Sequence, residues 1–324
     1  MPAATVLCAV SMSTMAAWST GARAQQGYPS KPIRFLIPFA TGGVGDLTAR
    51  VIGQKIGGNI GQQIVVDNRP SAGMRLTAEA ALAAAPDGYT LLLTGNGTAV
   101  SASLFKSLPY DVLKDFTQVS TLAIFDLVVV ADGSANFQTL PDVVGYARSN
   151  PGKLNIGHVS IGSTQSLAAE LFKASAAIDA VSVPYKATPA LINAVRAGDV
   201  QIAVEFVSGV MGQIRAGALK PLAVMTNRRF AGLPDVPSMA ESGLPGFQAS
   251  SWNGVSVRAG TPKPIVDRLA REIAAAVSDP DVRHKLQEMG AEAHASTPEQ
   301  ARELMAAEIV KWRKVIQDAR IPLQ

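Results

Sequence analysis

Apolar residues in this chain come in short runs, set apart by small polar loops and by stretches with helical spacing. The run Ile33-Arg34-Phe35-Leu36-Ile37 has strand length, and after it Leu47, Val51 and Ile56 recur as on one face of a helix. Between the two lies Pro38-Phe39-Ala40-Thr41-Gly42-Gly43-Val44-Gly45-Asp46, a glycine-rich turn from a buried strand into a helix. Such a turn aims backbone N–H groups and the positive end of the helix dipole at one spot. The spot suits an anion, and glycines let a ligand approach the backbone closely. A plain turn with glycines for geometry is the competing reading. Asp46 stands where a helix N-cap belongs, satisfying free N–H groups of the first turn.

The alternation continues. Residues 63–67 and 89–93 read as strands, with an alanine-rich helix over 73–84 between them. The third strand runs into a small polar loop, Thr94-Gly95-Asn96-Gly97-Thr98. A longer connection near 116–125, where the first crossover is placed, leads to a strand at 127–130. A second series follows: strands over 154–158, 181–185, 200–206 and 222–226, and helices over 167–172, 190–196 and 210–215. Its loops are Ser160-Ile161-Gly162-Ser163-Thr164, Lys186-Ala187-Thr188-Pro189 and Ser208-Gly209. Residues 233–247 are rich in proline and glycine, and 252–257 is a strand returning across a hinge. Two helices close the chain. One opens with Thr261 as cap and Pro262 as its first residue; the other opens with the capping box Thr297-Pro298-Glu299-Gln300. Leu304, Met305, Ile309, Trp312 and Ile316 share one face of the latter and belong to the core. Alternating strands and helices predict parallel α/β sheets, whose ligands sit outside the carboxyl ends of the strands.

That rule selects the candidate ligand-binding residues. They are Phe39, Thr41, Gly42, Gly43 and Asp46 in the opening turn, and Asn96 and Thr98 after the third strand. From the second series come Gly162, Ser163 and Gln165, then Tyr185, Lys186, Ala187 and Thr188, and finally Glu205 at a strand end. The opening turn is not a phosphate cradle of a known pattern. Gly45 is followed by Asp46 and Leu47 rather than Lys-Ser/Thr, and Thr48 stands where a dinucleotide pattern needs its third glycine.

Composition narrows the classes. The chain has 324 residues, 48% of them hydrophobic, enough for a sizeable core and two domains. The net charge of +4 is scattered, without a basic stripe, which argues against a nucleic-acid partner. Residues 1–24 read as a secretory signal, with Ala22-Arg23-Ala24 as the cleavage pattern before Gln25, although the start lacks a positive charge. The single cysteine, Cys8, lies in that segment, so the exported chain is expected to have no disulfide, cysteine nucleophile or cysteine metal site. A secreted hydrolase using Ser160 or Ser163 with His158 is the enzymatic alternative. Neither serine stands in a G-x-S-x-G elbow, and no histidine pair has metal-ligand spacing. His158 is expected in a pocket wall or satisfied in the core.

An ordered set of motifs is similar to the periplasmic solute-binding receptors of tripartite tricarboxylate transporters, the Bug family. The set runs from Tyr28-Pro29-Ser30-Lys31-Pro32-Ile33-Arg34 through Val66-Asp67-Asn68-Arg69-Pro70, Ala85-Pro86-Asp87-Gly88-Tyr89-Thr90 and Leu108-Pro109-Tyr110-Asp111. It continues with Val183-Pro184-Tyr185-Lys186, Leu233-Pro234-Asp235-Val236-Pro237 and Ser242-Gly243-Leu244-Pro245-Gly246-Phe247. The resemblance implies a two-domain periplasmic binding protein of the type II-like flytrap, each domain a mainly parallel α/β sheet flanked by helices. The division expected is 25–127 with 250–324 for the first domain and 128–249 for the second. The resemblance further implies a monomer without enzyme activity or cofactor. A small carboxylate would be held by backbone amides and hydroxyls and passed to membrane permease subunits. Gln165, Ala187 and Glu205 depart from the family pattern, where His, Gly and Asp are common, so no relative's ligand can be copied. Asp46 and Glu205 in the cleft would instead favour a cationic or zwitterionic solute.

Overall fold

The computed structural model describes residues 27–324, so the signal segment and its cleavage point lie outside the described residues. The first half of the chain runs β1 (Ile33–Ile37), α1 (Val44–Ile60), β2 (Ile64–Asn68), a single 3-10 turn (Ala72–Met74), α2 (Arg75–Ala83), β3 (Thr90–Gly95) and α3 (Asn96–Leu104). A long strand, β4 (Phe116–Asp132), leads into α4 (Leu140–Ser149), β5 (Leu154–Val159), α5 (Thr164–Ala176), β6 (Ala180–Tyr185), α6 (Thr188–Ala197), β7 (Ile202–Phe206), α7 (Val207–Arg215) and β8 (Leu219–Val224). The chain returns through β9 (Ser250–Arg258) and ends with α8 (Lys263–Ser278), α9 (Pro280–Glu288), β10 (Glu292–Ala293) and α10 (Pro298–Asp318).

The strands form one connected sheet in the order β2-β1-β3-β9-β4-β7-β5-β6, with β8 and β10 also on β4. The outer strands are parallel: β1 with β2 and β3, β5 with β6 and β7. The centre is antiparallel, because β4 and β9 run in opposite directions between the two series. β4 changes partners along its length. As far as Asp126 it pairs with β9; from Leu127 onward it pairs with β7 and β8. The longer connection expected at 116–125 is therefore strand, and its apolar residues are buried except Ile124, which is partly so. Polar residues such as Gln118, Ser120 and Thr121 sit among them, which masks the run in the sequence.

Both faces of the sheet are covered, as parallel sheets require. Ile33, Phe35 and Ile37 face a core closed by α8 and α9, while Leu36 faces the opposite one. Leu127, Val129 and Ala131 of β4 join the core that reaches α10, and Val128 and Val130 join the core beneath α6 and α7. The capping box of α10 is as expected, with Thr297 accepting from the Gln300 N–H at 3.2 Å. Trp312 at its centre is fully buried; removing such a ring costs about 3–5 kcal/mol.

Four helix starts differ from expectation. The cap of α1 is Gly43, with Asp46 three residues inside the helix. Thr261 spends its hydroxyl on the Arg258 carbonyl at 2.7 Å, so α8 begins after Pro262. Both α3 and α7 start directly at the strand ends, taking in residues expected to be loops (Asn96, Gly97, Ser208 and Gly209). Small polar residues have modest helix propensity, and packing of the following turns overrides it.

Candidate functional site

The starts of α1, α3, α5 and α7 converge on one cavity of about 690 Å³. Each helix follows a strand, so each points its first turn past a strand's carboxyl end. The first N–H groups of a helix have no partner inside it. At α1 no side chain caps them; at α3 the Thr98 hydroxyl accepts only from the Gly95 N–H at 3.2 Å, and at α7 the Glu205 carboxylate only from the Phe206 N–H, so the N–H groups of the first turn itself stay uncapped. At α5 the Ser163 hydroxyl accepts from the Ser166 N–H at 3.1 Å, which leaves the Thr164 and Gln165 N–H groups uncapped. Among the described residues, no Arg, Lys, His, Asp or Glu side chain lines this cavity. Its polarity comes from backbone donors, hydroxyls such as Ser101, Ser208 and Ser251, and the amides of Gln165 and Asn253.

The expected site residues divide into those the cavity gathers and those held behind it. Phe39, Gly43, Thr98, Gly162, Ser163 and Gln165 line the wall. Thr41 and Gly42 lie outside it; Gly42, at φ +86°, makes the turn that carries Phe39 and Gly43 into place. Asp46 is also outside and fully buried. Its carboxylate accepts from the Gly42 N–H at 2.9 Å, Arg50 Nε at 3.0 Å and Asn68 Nδ2 at 2.9 Å. Burial opposes its charge, but the hydrogen bonds from Arg50, Gly42 and Asn68 prevail and hold the carboxyl below the usual range. Asn68 also donates to the Phe39 carbonyl at 3.0 Å, so this network clamps the opening turn.

Asn96 is buried and committed elsewhere. It receives Trp312 Nε1 at 2.6 Å and donates to Thr164 Oγ1 at 2.8 Å, linking α10, α3 and α5. Glu205, likewise buried, accepts from Gln165 Nε2 at 2.8 Å, Thr188 Oγ1 at 2.8 Å and its neighbour's N–H, that of Phe206, at 2.7 Å. A carboxylate accepts only, so the Gln165 amide presents its nitrogen to Glu205 and keeps its oxygen for the other side. Tyr185, Lys186, Ala187 and Thr188 do not line the cavity; Thr188 reaches it only through Glu205. Ser163 donates its own proton to the Val159 carbonyl. Its hydroxyl is spent on shaping the α5 start, and its contribution to a ligand is the geometry of the neighbouring N–H groups.

The sequence reading missed much of the wall. Gly97, Val100, Ser101, Leu104 and Phe105 form one stripe of α3, with Met74 beside it and Phe125 and Phe206 at the strand crossing. Their spacing of three and four was readable, but only with α3 recognised as a helix. The two series meet closely here: a Cβ on Gly162 would lie 2.7 Å from Leu104 Cδ2. His158 is neither in the wall nor satisfied. It is buried with Nδ1 unpartnered among the described residues, and burial lowers its pKa. No hydrogen bond joins it to Ser160 or Ser163 among the described residues.

Residues 48–321 match the family model described as the tripartite tricarboxylate transporter family receptor. The chain belongs to that family. Protein BugT of Bordetella pertussis is 33% identical to this receptor over 299 residues, 92% of each chain. Among solved structures, an R. palustris protein with adipate superposes with a TM-score of 0.77 at 31% identity, covering 91% of this receptor and 99% of that chain. MatC of Rhodopseudomonas palustris, with bound malate, gives 0.72 at 31% identity, covering 89% and 100%. The fold is the two-domain flytrap of periplasmic binding proteins. The receptor's family serves solute binding rather than catalysis, in the periplasm.

Proposed function

We propose that this receptor captures a small carboxylate-bearing solute in the cavity between its two domains and delivers it to the membrane permease of a tripartite tricarboxylate-type transporter. The observation that carries the reading is the convergence of four uncapped or partly capped helix starts on a cavity without charged side chains. The starts of α3 and α5, which carry no carboxylate of their own, each favour an anion by roughly 0.3–1 kcal/mol. The ligands of the relatives, adipate and malate, are of the same chemistry. The cationic alternative rested on Asp46 and Glu205, and both carboxylates are spent on protein donors behind the wall.

The domains are assigned to 25–127 with 250–324, and to 128–249. The partner change in β4 after Asp126 and the start of β9 at Ser250 support this division. The receptor works as an exported monomer, cleaved after Ala24, without catalysis. The absence of any link between His158 and the cavity serines among the described residues supports the last point. Mass spectrometry of small molecules released from the natively purified protein tests the reading. A carboxylic acid, rebinding without turnover in calorimetry, is expected; a co-purified cation or sugar overturns it.

A further inference from the structure

Beyond its first turn, α3 presents an apolar wall to the cavity. The α3 stripe carries Val100, Leu104 and Phe105, with Met74 beside them; the hydroxyls of Ser71 and Ser101 interrupt it, and Gln324, bonded through its backbone to Leu104 and Lys106, borders it at the far end. Two more large apolar side chains stand open at the cavity, one from each domain: Phe39 is 42% exposed and Ile161 is 61% exposed. A receptor has reason to leave such groups uncovered, on facing domains, where its solute covers them. A carboxylate on the helix starts is matched by N–H donors. A second carboxylate against the α3 stripe would lie on aliphatic and aromatic carbon, with no cationic side chain in the wall to offset its lost hydration.

We infer that the solute is a monocarboxylate with an apolar body, an alkyl chain or an aromatic ring, whose carboxylate sits at the helix starts and whose body lies between Phe39 and Ile161 along α3. The inference rests on the reading of this cavity as the solute site and names the class of acid within it. It sets this receptor apart from the relatives solved with the dicarboxylates malate and adipate. The cavity has room for such a body at about 690 Å³. Each methylene laid on the apolar wall strengthens binding by about fourfold.

Hexanoate and adipate make the matched pair for the test, since they differ only in a terminal methyl against a second carboxylate. Calorimetry on the folded receptor should give hexanoate at least about tenfold tighter binding than adipate, and phenylacetate tighter binding than malate. The variants Phe39→Ala and Ile161→Ser should each weaken hexanoate by several-fold; Ile161→Ser should leave thermal unfolding unchanged because that side chain is mostly exposed, and Phe39→Ala should lower it only slightly because its ring is partly packed on the α1 start. Tighter binding of adipate or malate overturns this inference and leaves the carboxylate receptor standing. Unchanged hexanoate affinity in both variants also overturns it, since the body then lies elsewhere. No binding by any of the four acids overturns the inference, and the solute that co-purifies with the receptor then decides the reading beneath it.

Discussion

Gly43 caps α1 with an extended backbone (φ −74°, ψ 162°), and a Cβ there would meet only the Ala40 carbonyl, at 3.6 Å. Gly43→Leu is therefore compatible with the fold and puts its bulk into the cavity. Ligand affinity should fall by about tenfold or more, with stability lowered by only about 1 kcal/mol, because leucine is a poorer N-cap than glycine. Calorimetry and thermal unfolding of the same sample read both. Asp126 is a different case. It is buried where β4 changes partners, and neither carboxylate oxygen has a hydrogen-bond partner among the described residues. Burial pushes its pKa up to about 6, against the pull of Arg228 at 3.9 Å and with a further push from Glu292. A carboxyl raised in this way stabilises the fold fully below its unfolded value near 4, and the contribution is lost as pH rises through about 6. Asp126→Asn should thus gain on the natural chain by about 2–3 kcal/mol between pH 4 and neutrality. Denaturant unfolding at the two pH values measures it. A constant difference would show that Asp126 titrates normally.

At the scale of elements, α10 joins the domains through one buried chain of hydrogen bonds, from Trp312 to Asn96 to Thr164. Asn96→Ala leaves the indole N–H without its acceptor and should cost about 1–3 kcal/mol. Thr164→Val breaks the same chain at its other end, so the double variant should lose less than the sum of the two. Urea midpoints of the three variants test this; strict additivity would mean that the links act independently. The start of α5 depends on Ser163 in the same local way. Ser163→Ala should cost about 0.5–2 kcal/mol of stability through the lost cap. Its effect on affinity should be smaller than that of Gly43→Leu, because the hydroxyl proton already belongs to the Val159 carbonyl.

For the whole molecule, closure on a solute must draw its free energy from contacts on both domains. The wall takes Phe39, Gly43 and Thr98 from one domain and Gly162, Ser163 and Gln165 from the other. Small-angle scattering should show a smaller radius of gyration with saturating ligand; an unchanged radius would rule out closure. Trp252 lies on β9 beside Ile124, close to the point where β4 changes partners, and its fluorescence should follow the same transition. Exported protein should begin at Gln25 by mass spectrometry, and retention of residues 1–24 would contradict periplasmic processing.

The order of elements was legible because it is written in local terms. Buried parallel strands are apolar on both faces, and Ile33–Ile37 shows this in four of its five residues, with Arg34 the exception, paired with Asp67. The capping box at Thr297 and Gln300 is a contact between near neighbours, so four residues suffice to see it. The opening turn was legible for the same reason, since glycines between a strand and a helix leave few other conformations. What tertiary structure alone decided is which polar side chains remain free. Asp46, Asn96 and Glu205 look like ligand contacts in sequence, yet each is consumed by protein partners, some next to it in sequence and others as far as 216 positions away. The apolar half of the wall was hidden as well, because Leu104 looks like core until the second domain places Gly162 against it and leaves a cavity beside. A hydrogen bond or a cavity wall depends on distances across the fold, and spacing along the chain carries no record of them.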